Sequence, residues 1–270
     1  MRLEALEVRF EILCAGSGAS ELASSVAAAW DWAAFEPSAD DRDTDLQRLR
    51  VVLEEDPDEL ATWAGSCDLF ARDLPTLMDR LSPMVTRVAV SERRRDLVMF
   101  HACAVADPDT GDAVVLYGPS GTGKTTMART LCTDLVYLSD ETAGVGADLR
   151  VVPYLKPLSI IVTHGDDLKE QVSPGRLGLV RPDGRPYRLT GLVQLTRDPE
   201  HHGDATLESL ATVEALPELV AQTSYTRELD RPLHHLAGLA RRVGGVHRAT
   251  YAEAEQLRPV VRAILDRATP

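Results

Sequence analysis

Apolar residues recur along this chain with two different spacings, and the switches between them lay out its elements. Leu6 to Cys14 alternates as a strand does, Ser20 to Trp32 is Ala-rich and reads as a helix, and Leu46 to Leu53 reads as a second strand. Leu74 to Val90 carries apolar residues at helical spacing. Pro83 is expected to kink or restart that helix, because proline has no N–H to donate and its ring crowds the preceding turn. From Asp96 the texture changes. Leu97 to Val105 is a continuous apolar run broken by His101, Asp107 to Asp112 is a loop of turn formers, and Ala113 to Tyr117 is a second apolar run. Leu135 to Leu138 predicts a short strand, and Val151 to Ile161 adds strand-like material around Lys156-Pro157. The Gly- and Pro-rich stretch from His164 to Pro199 predicts loops joined by short strands, one of them Leu192 to Leu195. Ala252 to Ala268 predicts a closing amphipathic helix kinked at Pro259. No internal repeat is evident. The fold class that follows is α/β, with a small N-terminal region over residues 1–95 and a larger domain over 96–270.

Composition narrows the classes of partner. The 270 residues are 44% apolar and 26% charged, enough for a buried core. A formal net charge of −13 argues against a nucleic-acid partner, since phosphate backbones are met by cationic surfaces. Arg93-Arg94-Arg95 is the densest basic patch and reads as a solvated turn. Residues 36–59 hold ten acidic residues against three arginines, which reads as a solvated loop and edge rather than a docking site for a basic partner. No run approaches the roughly eighteen apolar residues of a membrane span. The first residues show no secretory pattern, so a cytoplasmic location is expected. Cys14, Cys67, Cys103 and Cys132 are dispersed and read as reduced thiols, and the paired histidines, His201-His202 and His234-His235, do not read as metal ligands.

The chemistry is concentrated in one segment. Residues Gly118-Pro119-Ser120-Gly121-Thr122-Gly123-Lys124-Thr125 form a complete G-x-x-x-x-G-K-[ST] loop between the strand-like run ending at Tyr117 and a helix-like run opening with Thr126. Gly118, Gly121 and Gly123 admit backbone angles that turn successive N–H groups toward phosphate oxygens. The helix N-terminus adds partial positive charge, Lys124 adds a full one, and Thr125 brings a hydroxyl for Mg²⁺. Nucleoside triphosphate binding is the expectation, with Gly118, Ser120, Gly121, Thr122, Gly123, Lys124, Thr125 and Thr126 as its residues.

Acidic residues then indicate what is done with the phosphate. Sixteen positions separate Lys124 from Asp140, room for one short helix and one short strand, so Asp140 and Glu141 return beside the loop. One carboxylate can hold Mg²⁺ while the other meets an incoming hydroxyl. His101 sits in the strand expected to pair, through the 107–112 hairpin, with the strand feeding the loop. A His–carboxylate contact there would orient Asp140 and modulate its basicity.

His101-Ala102-Cys103-Ala104-Val105, the hairpin, the Gly118–Thr126 loop and Leu138-Ser139-Asp140-Glu141 together resemble the catalytic domain of bacterial HPr kinase/phosphorylase, over about Leu97 to Tyr154. Gly175-Arg176-Leu177-Gly178-Leu179-Val180 is a looser echo of a later motif of that family, while the first hundred residues have no counterpart in it. The resemblance implies a phosphoenolpyruvate-carboxykinase-like nucleotide fold with a mixed sheet. By position it makes Asp140 the general base, His101 its partner, and Glu141 and Thr125 the groups on the metal side. The chain looks more like divergent HPr-kinase-like proteins of high-GC bacteria, some of which are similar to kinases acting on a serine of a biosynthetic peptide.

The reading that follows is an ATP- and Mg²⁺-dependent kinase that passes the γ-phosphoryl group to a hydroxyl, a serine of a protein or peptide. Lys124 and the loop would hold the phosphates, and Lys156 is either a further phosphate or acceptor contact or a surface lysine. A small-molecule kinase on the same fold and a nucleotide-sensing module without transfer stay open, as does a homo-oligomer. Neither an N/T-K-x-D guanine motif nor an L-S-G-G-Q signature is present.

Overall fold

The computed structural model describes residues 1–36, 46–161 and 168–268. The chain folds as two units, the first made of Met1–Glu92 with Leu155–Leu177, the second of Arg93–Tyr154 with Gly178–Pro270. The first unit therefore takes two chain segments, which a single boundary near residue 95 does not express.

In the first unit β1 (Arg2–Ala5) and β2 (Val8–Ala15) form an antiparallel hairpin. Leu6 and Glu7 make its two-residue turn with φ of 51° and 63°, the left-handed pair that matches strand twist. Helix α1 (Ala19–Ala29) carries the chain to β3 (Leu46–Leu53), which lies parallel to β2. Helix α2 (Pro57–Thr62) begins where the Asp56 carboxylate accepts the N–H groups of Asp58 and Glu59 at 2.8 and 3.3 Å, with Pro57 at the position that needs no donor. Strand β4 (Leu69–Ala71) completes the sheet parallel to β3. Helix α3 (Leu74–Glu92) is unbroken, so Pro83 neither splits nor restarts it, and it buries Leu77, Leu81, Val85 and Ala89 along one stripe.

A second glycine-bearing turn lies here, between β2 and α1. Gly16 has φ of +91°, and a Cβ on it would fall 2.3 Å from the carbonyl oxygen of Leu53. The Ser17 N–H and hydroxyl both donate to the Glu54 carboxylate, at 2.9 and 2.7 Å.

The second unit is built on a mixed sheet. Strand β5 (Leu97–Ala106) is its axis, and β6 (Asp112–Tyr117) returns antiparallel to it, with Ala102 opposite Tyr117 and Ala106 opposite Ala113. After α4 (Lys124–Leu131), β7 (Val136–Ser139) and β8 (Thr142–Gly146) pair with the two halves of the other edge of β5. Strand β9 (Arg150–Val152) pairs with β8. The hairpin β10 (Leu158–Ile161) and β11 (Lys169–Val172) belongs to the first unit, where β11 packs on α3. Back in the second unit, β12 (Tyr187–Arg197) lies parallel to β6, and its first residues also pair with β9, so this part of the sheet curls round on itself. Strand β13 (Thr206–Leu210), helix α5 (Thr212–Ala221), the two-residue β14 (Thr223–Ser224), helix α6 (Pro232–Arg242), strand β15 (Val246–Tyr251) and helix α7 (Leu257–Ala268) complete it. The last helix starts five residues later than its apolar pattern suggests. A 3₁₀ turn at Ala254–Gln256 precedes it, and Pro259 falls in its first turn, where proline needs no kink. One core joins Phe100, Tyr117, Leu138 and Leu192 from the sheet to Leu219 and Leu236 from α5 and α6. No helix among the described residues is long and apolar enough to cross a membrane.

Candidate functional site

The loop between β6 and α4 is fixed at its base and open at its tip. Gly118 is buried, while Pro119, Ser120, Gly121 and Thr126 are exposed. Gly121 and Gly123 have φ of +88° and +85°, and a Cβ on either would meet nothing within 4 Å. Glycine is thus required there by the backbone angle, not by crowding. Thr122 ties the loop down: its hydroxyl donates to the Pro119 carbonyl at 2.9 Å, and its own carbonyl accepts the Tyr251 hydroxyl at 2.5 Å. The Lys124 ammonium folds over the loop and donates to the Gly118 and Pro119 carbonyls at 2.7 and 2.9 Å. Burial holds its pKa below the ordinary lysine value, while the carboxylates of Glu141 and Glu218 act in the opposite sense.

Strand β7 delivers Asp140 directly behind α4. The side chain is 3% exposed. Its Oδ2 accepts the Thr125 hydroxyl at 2.8 Å and its Oδ1 the Tyr137 hydroxyl at 3.0 Å. Burial, and next to it the Asp140 charge, pushes the Tyr137 phenol well above its usual pKa, which keeps it a donor. The turn out of β7 is held by Ser139, whose hydroxyl oxygen accepts the N–H groups of Glu141 and Thr142 at 3.2 and 3.0 Å. Glu141 is half-buried, and its carbonyl accepts the Ala102 N–H at 3.0 Å, which anchors it to β5.

His101 is the exposed residue in an otherwise buried β5, and it pairs in register with Thr142. Its N–H donates to the Gln222 carbonyl at 2.7 Å, so the end of α5 is pinned beside it. Among the described residues the ring makes no direct hydrogen bond to Asp140, with which contact, directly or through one water, is the expectation from sequence. The Tyr137 hydroxyl bonds Asp140 Oδ1. Tyr137, Tyr251 and the Glu218–Gln222 pair, whose side chains bond at 2.9 Å, escaped the sequence reading. Tyr137 looked like one more core residue of a strand, and the others lie about a hundred positions from the loop. Lys156, in the first unit, is not a surface lysine: it is 1% exposed and donates to the Pro157 carbonyl at 3.0 Å.

All four cysteines are free, and Cys103 and Cys132 are buried. No cluster of three His, Cys, Asp or Glu suited to a metal is found among the described residues. A magnesium site completed by phosphate oxygens and water needs fewer protein ligands than that, and a hydroxyl with one carboxylate, as in Thr125 and Asp140, fits it.

No protein-family model matches the chain, and no curated protein matches it either. A search of solved structures returns the HPr(Ser) kinase/phosphatase from Coxiella burnetii, at 10% identity and a TM-score of 0.32, over 63% of this chain and 94% of that one. At that TM-score the likeness is too loose to bear on fold or activity.

Proposed function

We propose that the second unit binds ATP with Mg²⁺ at the Gly118–Thr125 loop and transfers its γ-phosphoryl group to a hydroxyl, that of a serine on a protein or peptide. The observation that carries this reading is the contact between Thr125 and a buried Asp140 at the foot of an open glycine loop. The loop N–H groups and the start of α4 would take the phosphate oxygens. Lys124 would leave the Gly118 and Pro119 carbonyls for them, exchanging two neutral acceptors for a charged one. Mg²⁺, when bound, would neutralise charge on the phosphate oxygens.

The roles of the two carboxylates are exchanged relative to the sequence reading. Asp140 is held by two hydroxyls and nearly sealed from solvent, which suits the metal side with Thr125. Glu141 is the more accessible acid and lies beside His101, so it takes the acceptor proton. In that step the acceptor oxygen bonds to the γ-phosphorus, the bond from that phosphorus to the β–γ bridging oxygen breaks, and ADP leaves. The hydroxyl proton ends on Glu141.

Incubation with γ-labelled ATP and candidate acceptors, followed by mass spectrometry, tests the reading. Glu141→Gln should cut transfer by roughly 10²–10⁴-fold with ATP–Mg²⁺ affinity kept, whereas Asp140→Asn should chiefly weaken the Mg²⁺ dependence. The reverse pattern would restore the assignment made from sequence. Tight ATP binding with no acceptor ever labelled would leave a nucleotide-sensing module instead.

A further inference from the structure

We propose that the crevice between the phosphate loop and the carboxyl ends of β12 and β15 receives the nucleoside of the triphosphate, with its base lying on the guanidinium face of Arg197. This rests on the functional reading above and concerns the part of the ligand that the loop does not hold. Three parallel strands end together here. Tyr117, the last residue of β6, pairs in register with Gln194 of β12, and Arg197, the last of β12, pairs with Tyr251, the last of β15. Where parallel strands end together beside a strand-to-helix turn, ligands sit beyond their carboxyl ends.

The row of phosphates gives the ligand a direction. Asp140 and Glu141, which mark the γ-phosphate end in the proposed reaction, follow β7 on the β5 side of β6, whereas β12 lies on the other side. The nucleoside end therefore leaves over Gly123 and Thr126 toward β12. A cavity lies at that point, walled by Thr122, Gly123 and Thr126 and, from the strand ends, by Arg197, Tyr251 and Glu253. Arg197 presents a flat surface there. Its Nε donates to the Ala252 carbonyl at 3.0 Å and its Nη2 stands 3.6 Å from the Glu253 carboxylate, so the guanidinium is held along one edge. The side chain still keeps 44% of its surface exposed. A planar cation fixed in this way can stack on a nucleobase, which a lysine ammonium in its place cannot do.

The test compares, by calorimetry on the full chain with Mg²⁺, the affinities for ATP and for inorganic tripolyphosphate, which has the phosphates and no nucleoside. Arg197→Ala should lower the ratio of the two affinities roughly fivefold or more. Arg197→Lys keeps the charge and loses the plane, and it should lower the ratio as well. Lys124→Ala, by contrast, should weaken both ligands and leave the ratio near that of the wild type. Thermal unfolding reports whether each variant is folded, and Arg197→Lys alone decides should the Ala variant not fold. A wild-type ratio in folded Arg197→Ala overturns the nucleoside assignment while the phosphate loop stands. A wild-type ratio in Arg197→Lys overturns the stacked base. Wild-type protein that binds neither ATP nor tripolyphosphate overturns the phosphate-loop reading and this inference with it.

Discussion

Twice in this chain a strand runs through a short glycine-bearing turn into a helix, once from β2 into α1 and once from β6 into α4, and the two turns are used in opposite ways. In the first, a Cβ on Gly16 would strike the Leu53 carbonyl at 2.3 Å and one on Gly18 the Leu53 side chain at 2.6 Å, so the glycines are there to let backbone press on β3. The Glu54 carboxylate already takes the Ser17 N–H and hydroxyl at 2.9 and 2.7 Å. This turn carries its own anion. In the second, a Cβ on Gly121 or Gly123 meets open space, and Asp140 reaches Thr125 from behind rather than filling the loop. A helix start with glycines is left open to an anion only where the fold has not supplied the negative charge itself.

The sharpest way to break this contrast is to put a methyl group into each turn. Gly16→Ala should lower stability by about 4 kcal/mol or more, because both the backbone angle and a carbonyl contact are violated. Gly121→Ala violates the angle alone and should cost about 1–2 kcal/mol, read by denaturant unfolding. Equal losses would mean that the second loop is as tightly packed as the first. Next in size, Lys124→Ala should weaken ATP binding by about ten- to a hundredfold with an unchanged melting temperature, as calorimetry and thermal unfolding would report. Unchanged affinity would make the second turn no more a ligand site than the first.

The smallest effect concerns Glu54, whose pKa is held down first by the Ser17 hydroxyl and then by the Ser17 N–H. A depressed folded-state value means that the carboxylate stabilises the fold fully above pH 4.5, its ordinary value, and that this is lost as pH falls through the lower one. Glu54→Gln should therefore lower the melting temperature at neutral pH and flatten its decline in acid, while ATP affinity stays as in the wild type.

What could be read from the sequence follows from distance along the chain. The G-x-x-x-x-G-K-T run, the 107–112 hairpin and the return of Asp140 within sixteen residues are local, and periodicity and turn chemistry report them directly. Strand β3 runs from Leu46 to Leu53, the bounds its alternation suggests. The path of residues 155–177 into the first unit is not local, since it depends on β11 meeting α3. The Tyr251 bond to Thr122 spans 129 positions and leaves no trace in either neighbourhood. Tyr137 was hidden differently, because its ring satisfies the pattern of a buried strand while its hydroxyl bonds the Asp140 carboxylate. Roles that rest on one atom of an otherwise apolar side chain escape a hydrophobic pattern.

The two-segment make-up of the first unit also sets an order of events during synthesis. Residues 1–92 leave the ribosome without β10 and β11, and Ser173, whose hydroxyl bonds the Asp31 carboxylate at 2.5 Å, is still untranslated. At common elongation rates the 62 intervening residues, 93–154, take roughly 3–12 s to appear. For that interval the face of α3 that will receive β11 stays uncovered, a waiting period in which a chaperone or a neighbouring nascent chain can reach it. The first unit is begun first and finished only after the Gly118–Thr125 loop has been made.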